Sequence, residues 1–120
     1  MTEIKLKRAY DNISDDDGRR ILVDKVWPRG IKKEELKLDD WAKEIAPTTD
    51  LRKEFGHDPE KFDWFTEQYK KELDENQKTP DFIEKVREYL KKDDVSFIYG
   101  AKDTEHNQAV VLKEYVNQKK

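Results

Sequence analysis

Apolar side chains recur along this chain at two spacings, and the spacings divide it into strands and helices. Ile4-Lys5-Leu6-Lys7-Arg8 alternates apolar and basic positions, the pattern of a strand with one covered face. From about Arg20 to Val26 the alternation gives way to Ile21-Leu22-Val23 in succession, which only an element buried on both faces tolerates. Val95 to Tyr99 is a third compact apolar run, set between Asp93-Asp94 and Gly100. Helical spacing fills the rest. Leu36 and Leu38 flank a short turn or helix, and Asp39 or Asp40 caps a helix holding Trp41 and Ile45 that Pro47 stops. Thr49 caps a further turn or two with Leu51 and Phe55, closed by Gly56. Asp58-Pro59 joins an N-cap to a proline at the first helical position, and Phe62, Phe65, Tyr69 and Leu73 then form one apolar face. Thr79-Pro80 repeats the start signal ahead of Phe82, Ile83, Val86 and Leu90. A last helix, from about Asn107, buries Val111, Leu112, Tyr115 and Val116.

The order of these elements predicts an α/β fold: one compact domain over residues 1–120, a small, mainly parallel three-stranded sheet with helices packed around it. The third strand follows a long helical excursion, so it is expected to run parallel to the second through a right-handed crossover. Parallel neighbours end on the same edge, where open α/β sheets bind ligands. Trp27-Pro28-Arg29 and Gly100-Ala101-Lys102-Asp103 are expected to meet there. The N-terminus of the last helix, at Asn107, points inward in this reading and favours an anion.

Composition changes the picture in four places. A charged fraction of 44% leans toward disorder, but aromatics at 11% and regular apolar spacing indicate a folded domain with a thin core. The absence of cysteine removes disulfides, thiolate metal sites and a cysteine nucleophile together. No apolar run approaches the roughly 18 residues of a membrane span, and the alternating N-terminus does not resemble a signal peptide, so a cytoplasmic location is expected. The net charge of -3 is unevenly spread: Arg19, Arg20, Lys25, Arg29, Lys32 and Lys33 face a single acid, Asp24, between residues 19 and 33. Such a segment attracts nucleic acid only weakly in a globally acidic protein, but it can receive a small phosphate or carboxylate, or simply face water.

Asp24 needs a partner if it is buried, and is expected to be structural, anchoring the turn or an arginine; the other reading is an acid or base in an open cleft. Arg29 sits at a turn fixed by Pro28 and Gly30, either receiving an anion or pairing with a carboxylate. Trp27 either stacks on a planar ligand or belongs to the core. Arg52 lies next to the apolar Leu51, and His57 just beyond it is either a helix-boundary residue or a general base beside an acid. Lys102, Asp103 and Asn107 complete the candidate edge, while His106 reads as a surface residue. Two separated histidines without cysteine do not suggest zinc. Aligning Gly18 with the sixth position of a calcium loop places Ile13 at the first, where a side-chain oxygen is required, so that motif fails. No glycine-rich phosphate loop or nucleophile elbow is present. No cofactor and no metal are expected.

Leu22-Val23-Asp24-Lys25-Val26-Trp27-Pro28-Arg29-Gly30, Trp41-Ala42-Lys43-Glu44-Ile45-Ala46-Pro47, Leu51-Arg52 and Phe55-Gly56-His57-Asp58-Pro59 follow one another in the chain. With Ile98-Tyr99-Gly100-Ala101-Lys102-Asp103 and Asn107-Gln108-Ala109-Val110-Val111-Leu112, they resemble the successive signatures of the YeaO-like family, a bacterial domain of unknown function with the number 488. The resemblance spans nearly the whole chain. It implies a small α/β fold and a bacterial cytosolic protein, and supplies no established activity. Branches of the broader family carry cysteine and histidine after the last strand; here Tyr99 and Lys102 occupy that region, which leaves thiol chemistry without its residue. The expected function is binding of a small anionic ligand at the C-terminal edge of the sheet, with or without catalysis. The alternative is a nucleic-acid or protein interaction module built on the basic Arg19 to Lys33 segment. Nucleic acid is the less expected partner, no membrane association is expected, and oligomeric state is not specified.

Overall fold

The computed structural model describes residues 2–119. Its sheet has four parallel strands in the order β1-β4-β2-β3. They are β1 (Ile4–Arg8), β2 (Arg19–Leu22), β3 (Asp40–Trp41) and β4 (Val95–Tyr99). The helices are α1 (Lys33–Leu36), α2 (Thr49–Phe55), α3 (Phe62–Glu75), α4 (Thr79–Leu90) and α5 (Gln108–Lys119). The α/β class and the parallel pairing of β2 with β4 agree with the sequence reading, with Ile21 opposite Phe97 and Leu22 opposite Ile98.

Alternation along β2 and β4 feeds two cores. Ile21, Val23, Phe97 and Tyr99 face the main one, with Phe55, Phe65, Tyr69, Val86 and Leu112 from the helices. Leu22 and Ile98 face a smaller cluster with Ala9 and Leu36, against which Trp27, Leu38 and Trp41 pack. The central strands are therefore covered on both faces, which explains the unbroken apolar run.

Two boundaries differ from expectation. Trp41 lies in a fourth strand rather than in a helix, because β2 has a free edge that residues 39–42 satisfy. Asp39 N donates to Arg20 O at 2.8 Å and Ala42 N to Leu22 O at 2.9 Å, while the Trp41 ring meets Trp27 edge-on at 5.4 Å. The helical signal after Trp41 is spent in a single tight turn, Lys43–Ile45. β2 itself ends at Leu22 instead of running to Val26. Val23 N still donates to Ile98 O at 3.0 Å, after which the chain bends away and Val26 is exposed.

The N-terminal end of β2 holds a buried ionic network. Arg20, 3% exposed, donates through its guanidinium to Asp17 Oδ2 at 2.6 Å and to Leu36 O at 3.0 Å. Lys7 Nζ reaches the same carboxylate at 2.9 Å, and Ser14 N donates to it at 3.0 Å. Burial pushes the Asp17 carboxyl up, but the Ser14 N–H, Lys7 and Arg20 outweigh it and hold it below the usual range. Gly18 makes the turn into β2 with φ 66°; a Cβ there would stand 2.0 Å from Asp94 O, so only glycine fits.

Candidate functional site

The C-terminal end of β2 is built differently. Asp24, half-buried, spans the gap to the junction of β4 and α5. Its Oδ2 accepts from Gly100 N at 2.7 Å and its Oδ1 from the Gln108 side-chain amide. A Cβ on Gly100 would lie 3.1 Å from Asp24 Oδ2, so the glycine lets the end of β4 approach the carboxylate closely. Among the described residues Asp24 has no ion pair, which corrects the expected arginine partner: the arginine buried with an acid is Arg20, and it belongs to Asp17. Burial raises the Asp24 carboxyl to about 6, against the Gly100 N–H, the charge of Arg52, the Gln108 amide and the charge of His57. Arg52 and His57 thus lie within electrostatic reach of it.

Asp24 forms part of the wall of a cleft of about 500 Å³, bordered also by Lys25, Trp27, Arg29, Arg52, His57 and Gln108. Three segments supply these groups. The bend after β2 carries Lys25 to Arg29, pinned where Tyr10 Oη donates to Arg29 O at 3.0 Å. α2 supplies Arg52. Thr48 caps that helix by accepting from Leu51 N at 3.3 Å, and is itself anchored to Glu72 at 2.6 Å. Gly56 ends α2 in the left-handed conformation, φ 55°, and His57 repeats it at φ 58°. Glycine adopts that geometry freely, whereas histidine does so at a cost of roughly 1–2 kcal/mol. Trp27 is half-buried, shared between the cleft and the smaller core, and its indole donates to Ile31 O at 2.7 Å.

Among the described residues, Lys25, Arg29 and Arg52 form no ion pair, in contrast to Lys5, Lys7, Arg19, Arg20, Lys70 and Lys85, which all do. The basic segment is therefore not one surface. Arg20 is buried, and Arg19 pairs with Asp93 at 3.2 Å and Asp39 at 3.6 Å. A larger hollow of about 620 Å³ lies between α1 and β3, bounded by Trp27, Leu38 and Trp41. Its Asp39 receives Arg20 N and its Asp40 pairs with Lys85 at 2.7 Å, while both indole N–H groups are spent on backbone carbonyls. Its remaining charges, Lys33, Glu34 and Lys37, are exposed at the rim. The smaller cleft is the one lined by half-buried cations without an ion pair among the described residues, Lys25 and Arg52, with Arg29 exposed beside them.

Of the residues predicted for the site, Asp24, Trp27, Arg29, Arg52 and His57 come together there, and Lys102, Asp103 and Asn107 do not. Lys102 is exposed on the loop after β4. Asp103 folds that loop on itself, accepting from Glu105 N at 2.8 Å and His106 N at 3.0 Å and meeting His106 Nδ1 at 2.9 Å. Asn107 is fully buried and caps α5: its Oδ1 accepts from Ala109 N at 2.9 Å and Val110 N at 3.1 Å. The N–H groups expected to face an anion are thereby occupied. Sequence reasoning missed Lys25 and Gln108. Gln108 follows an N-cap asparagine, a position that aims its side chain beside the strand ends, and this was the available signal. Among the described residues no group of three or more His, Cys, Asp or Glu could hold a metal ion, and no helix is long and apolar enough to cross a membrane.

Residues 3–120 match a family model described as "Inactive DUF488-N3 subclade". The chain belongs to the YeaO-like DUF488 family. It is 42% identical over 113 residues to "Uncharacterized protein YeaO" of Escherichia coli, covering 94% of this chain and 96% of that protein. It is 32% identical over 116 residues to "Uncharacterized protein Rv3073c" of Mycobacterium tuberculosis, covering 97% and 95%, and equally similar to "Uncharacterized protein Mb3100c" of Mycobacterium bovis. No solved structure matches this DUF488 chain. The signature around Trp27-Pro28-Arg29-Gly30 in this family member is the bend that carries Lys25 and Arg29 to the cleft.

Proposed function

We propose that the cleft at the C-terminal ends of β2 and β4 binds a small oxyanion, a phosphate or carboxylate group, between Arg29 and Arg52. The observation that carries this reading is a set of three cations, Lys25, Arg29 and Arg52, lining one cleft with no carboxylate among the described residues paired to any of them. The single acid among them, Asp24, is already engaged by the Gly100 N–H and the Gln108 amide. Arginine favours oxyanions because its planar fork presents parallel N–H donors to two oxygens. The family description "Inactive" weighs against turnover in the cleft.

The test is a thermal-shift screen of phosphorylated metabolites, nucleotides and dicarboxylates against the wild type, Arg29→Ala and Arg52→Ala. Oxyanions that raise the melting temperature of the wild type and of neither variant support the cleft. A wild type that responds to none of them, or variants that respond as it does, would remove it.

A further inference from the structure

The cleft has a second compartment. A recess of about 200 Å³ adjoins it across Arg52, His57 and Gln108, which line both hollows. The recess is walled by Phe55 and Phe65, whose rings stack at a centroid distance of 4.2 Å. Both phenylalanines are nearly fully buried, so this wall is set by the core and does not adjust freely. Thr49, the first residue of α2, and Lys53, both exposed, complete the lining at the outer rim. Apolar cavities of about 150 Å³ take up benzene, so the recess has room for one six-membered ring.

We infer that the ligand of the cleft is an oxyanion attached to a small planar ring, the ring entering the recess beside Phe55 and Phe65 while the anion stays with Arg29 and Arg52. The inference rests on the anion-binding reading above and adds the chemistry of the rest of the ligand. His57 stands where the two compartments join, its ring 6.2 Å from that of Phe55, on a left-handed backbone conformation that residues other than glycine adopt uncommonly. Strain retained at such a junction is characteristic of ligand clamps. A ring bearing an oxyanion matches the order of surfaces from recess to cleft: aromatic wall, His57 and Arg52, then the open cationic bend.

Calorimetric titration with phenyl phosphate and methyl phosphate tests this, because the two share an oxyanion and differ in the ring. Phenyl phosphate is expected to bind about tenfold or more tightly, given the apolar area a buried ring removes from water. Thr49→Trp, which fills the recess from an exposed position, is expected to bring the ratio of the two affinities close to one. Intermolecular NOEs from the phenyl protons to the Phe55 and Phe65 rings give a second measurement on the unaltered protein. Equal affinities for the two esters, or an absence of those NOEs from bound phenyl phosphate, would overturn the ring while leaving the anion site standing. Binding of neither ester would overturn the anion site, and the ring with it.

Discussion

β2 has an aspartate near each end, and the two are held in opposite ways. Asp17, before the strand, lies with Arg20 and Lys7 in a network where charge meets charge at 2.6 Å and 2.9 Å. Asp24, after the strand, takes two neutral hydrogen-bond donors while the cations around it stay unpaired. The electrostatic consequences have opposite signs. Asp17 is held below the usual carboxylate range, so its ionised form stabilises the fold; that contribution is present above the unfolded value near 3.8 and is lost as pH falls through the lower folded value. Asp24 is raised to about 6, so its ionisation opposes folding above that pH, and the penalty fades as pH falls from about 6 toward 3.8. One end of the strand neutralises its buried charges, although Arg20 Nη2 has no hydrogen-bond partner there. The other retains unfavourable electrostatics, as binding sites commonly do.

The strongest way to break this comparison is to neutralise Asp17. Asp17→Asn keeps the shape but leaves the buried Arg20 without its counter-charge, and should destabilise the domain by about 3–5 kcal/mol. Urea unfolding at neutral pH measures it, and a curve superimposed on the wild type would remove the structural role of the pair. His57→Gly sharpens the contrast at the other end. Replacing the left-handed histidine with glycine should leave stability unchanged or raise it by up to about 1 kcal/mol, a small increase in melting temperature. A loss of stability would mean that His57 is structural. Arg52→Gln should have the smallest effect on stability, within about 0.5 kcal/mol, since the side chain has no ion pair to lose. It should nonetheless raise the Asp24 carboxyl further, because the Arg52 charge opposes that shift. NMR titration of the Asp24 carboxyl carbon reads the change, and an unaltered midpoint would separate the two residues.

The same contrast explains how far the sequence could be read. Alternation identified β1 and helical spacing the long helices, while the core of β2 and β4 were legible as short apolar runs bounded by polar residues and glycine. It failed at Trp41, since two residues of strand have no period, and it was the free edge of β2 that recruited them. Asp24, Trp27, Arg29, Arg52 and His57, which the structure places along one cleft, were singled out as polar or aromatic residues beside apolar runs. Asp24 was expected to meet an arginine, and meets the Gly100 N–H and the Gln108 amide instead, because residue types carry no orientation. The acid that does pair with a buried arginine is Asp17, held by the tight turn that Ser14 caps and Gly18 closes. Asn107 was taken for a ligand contact when its commoner role, the helix cap, was the one in use.

The central claim is that the C-terminal end of β2 holds Asp24 for a role other than stability. The most direct test is the unfolding free energy of wild type and Asp24→Asn in urea between pH 4 and pH 8. The asparagine can still accept from Gly100 N, and the Gln108 amide can turn to accept from it, so the hydrogen bonds survive while the charge is removed. Asp24→Asn should be more stable than wild type by about 1–3 kcal/mol at pH 8, an advantage that shrinks through pH 6 and vanishes near pH 4. An asparagine variant that is less stable than wild type at pH 8, as Asp17→Asn should be, would contradict it.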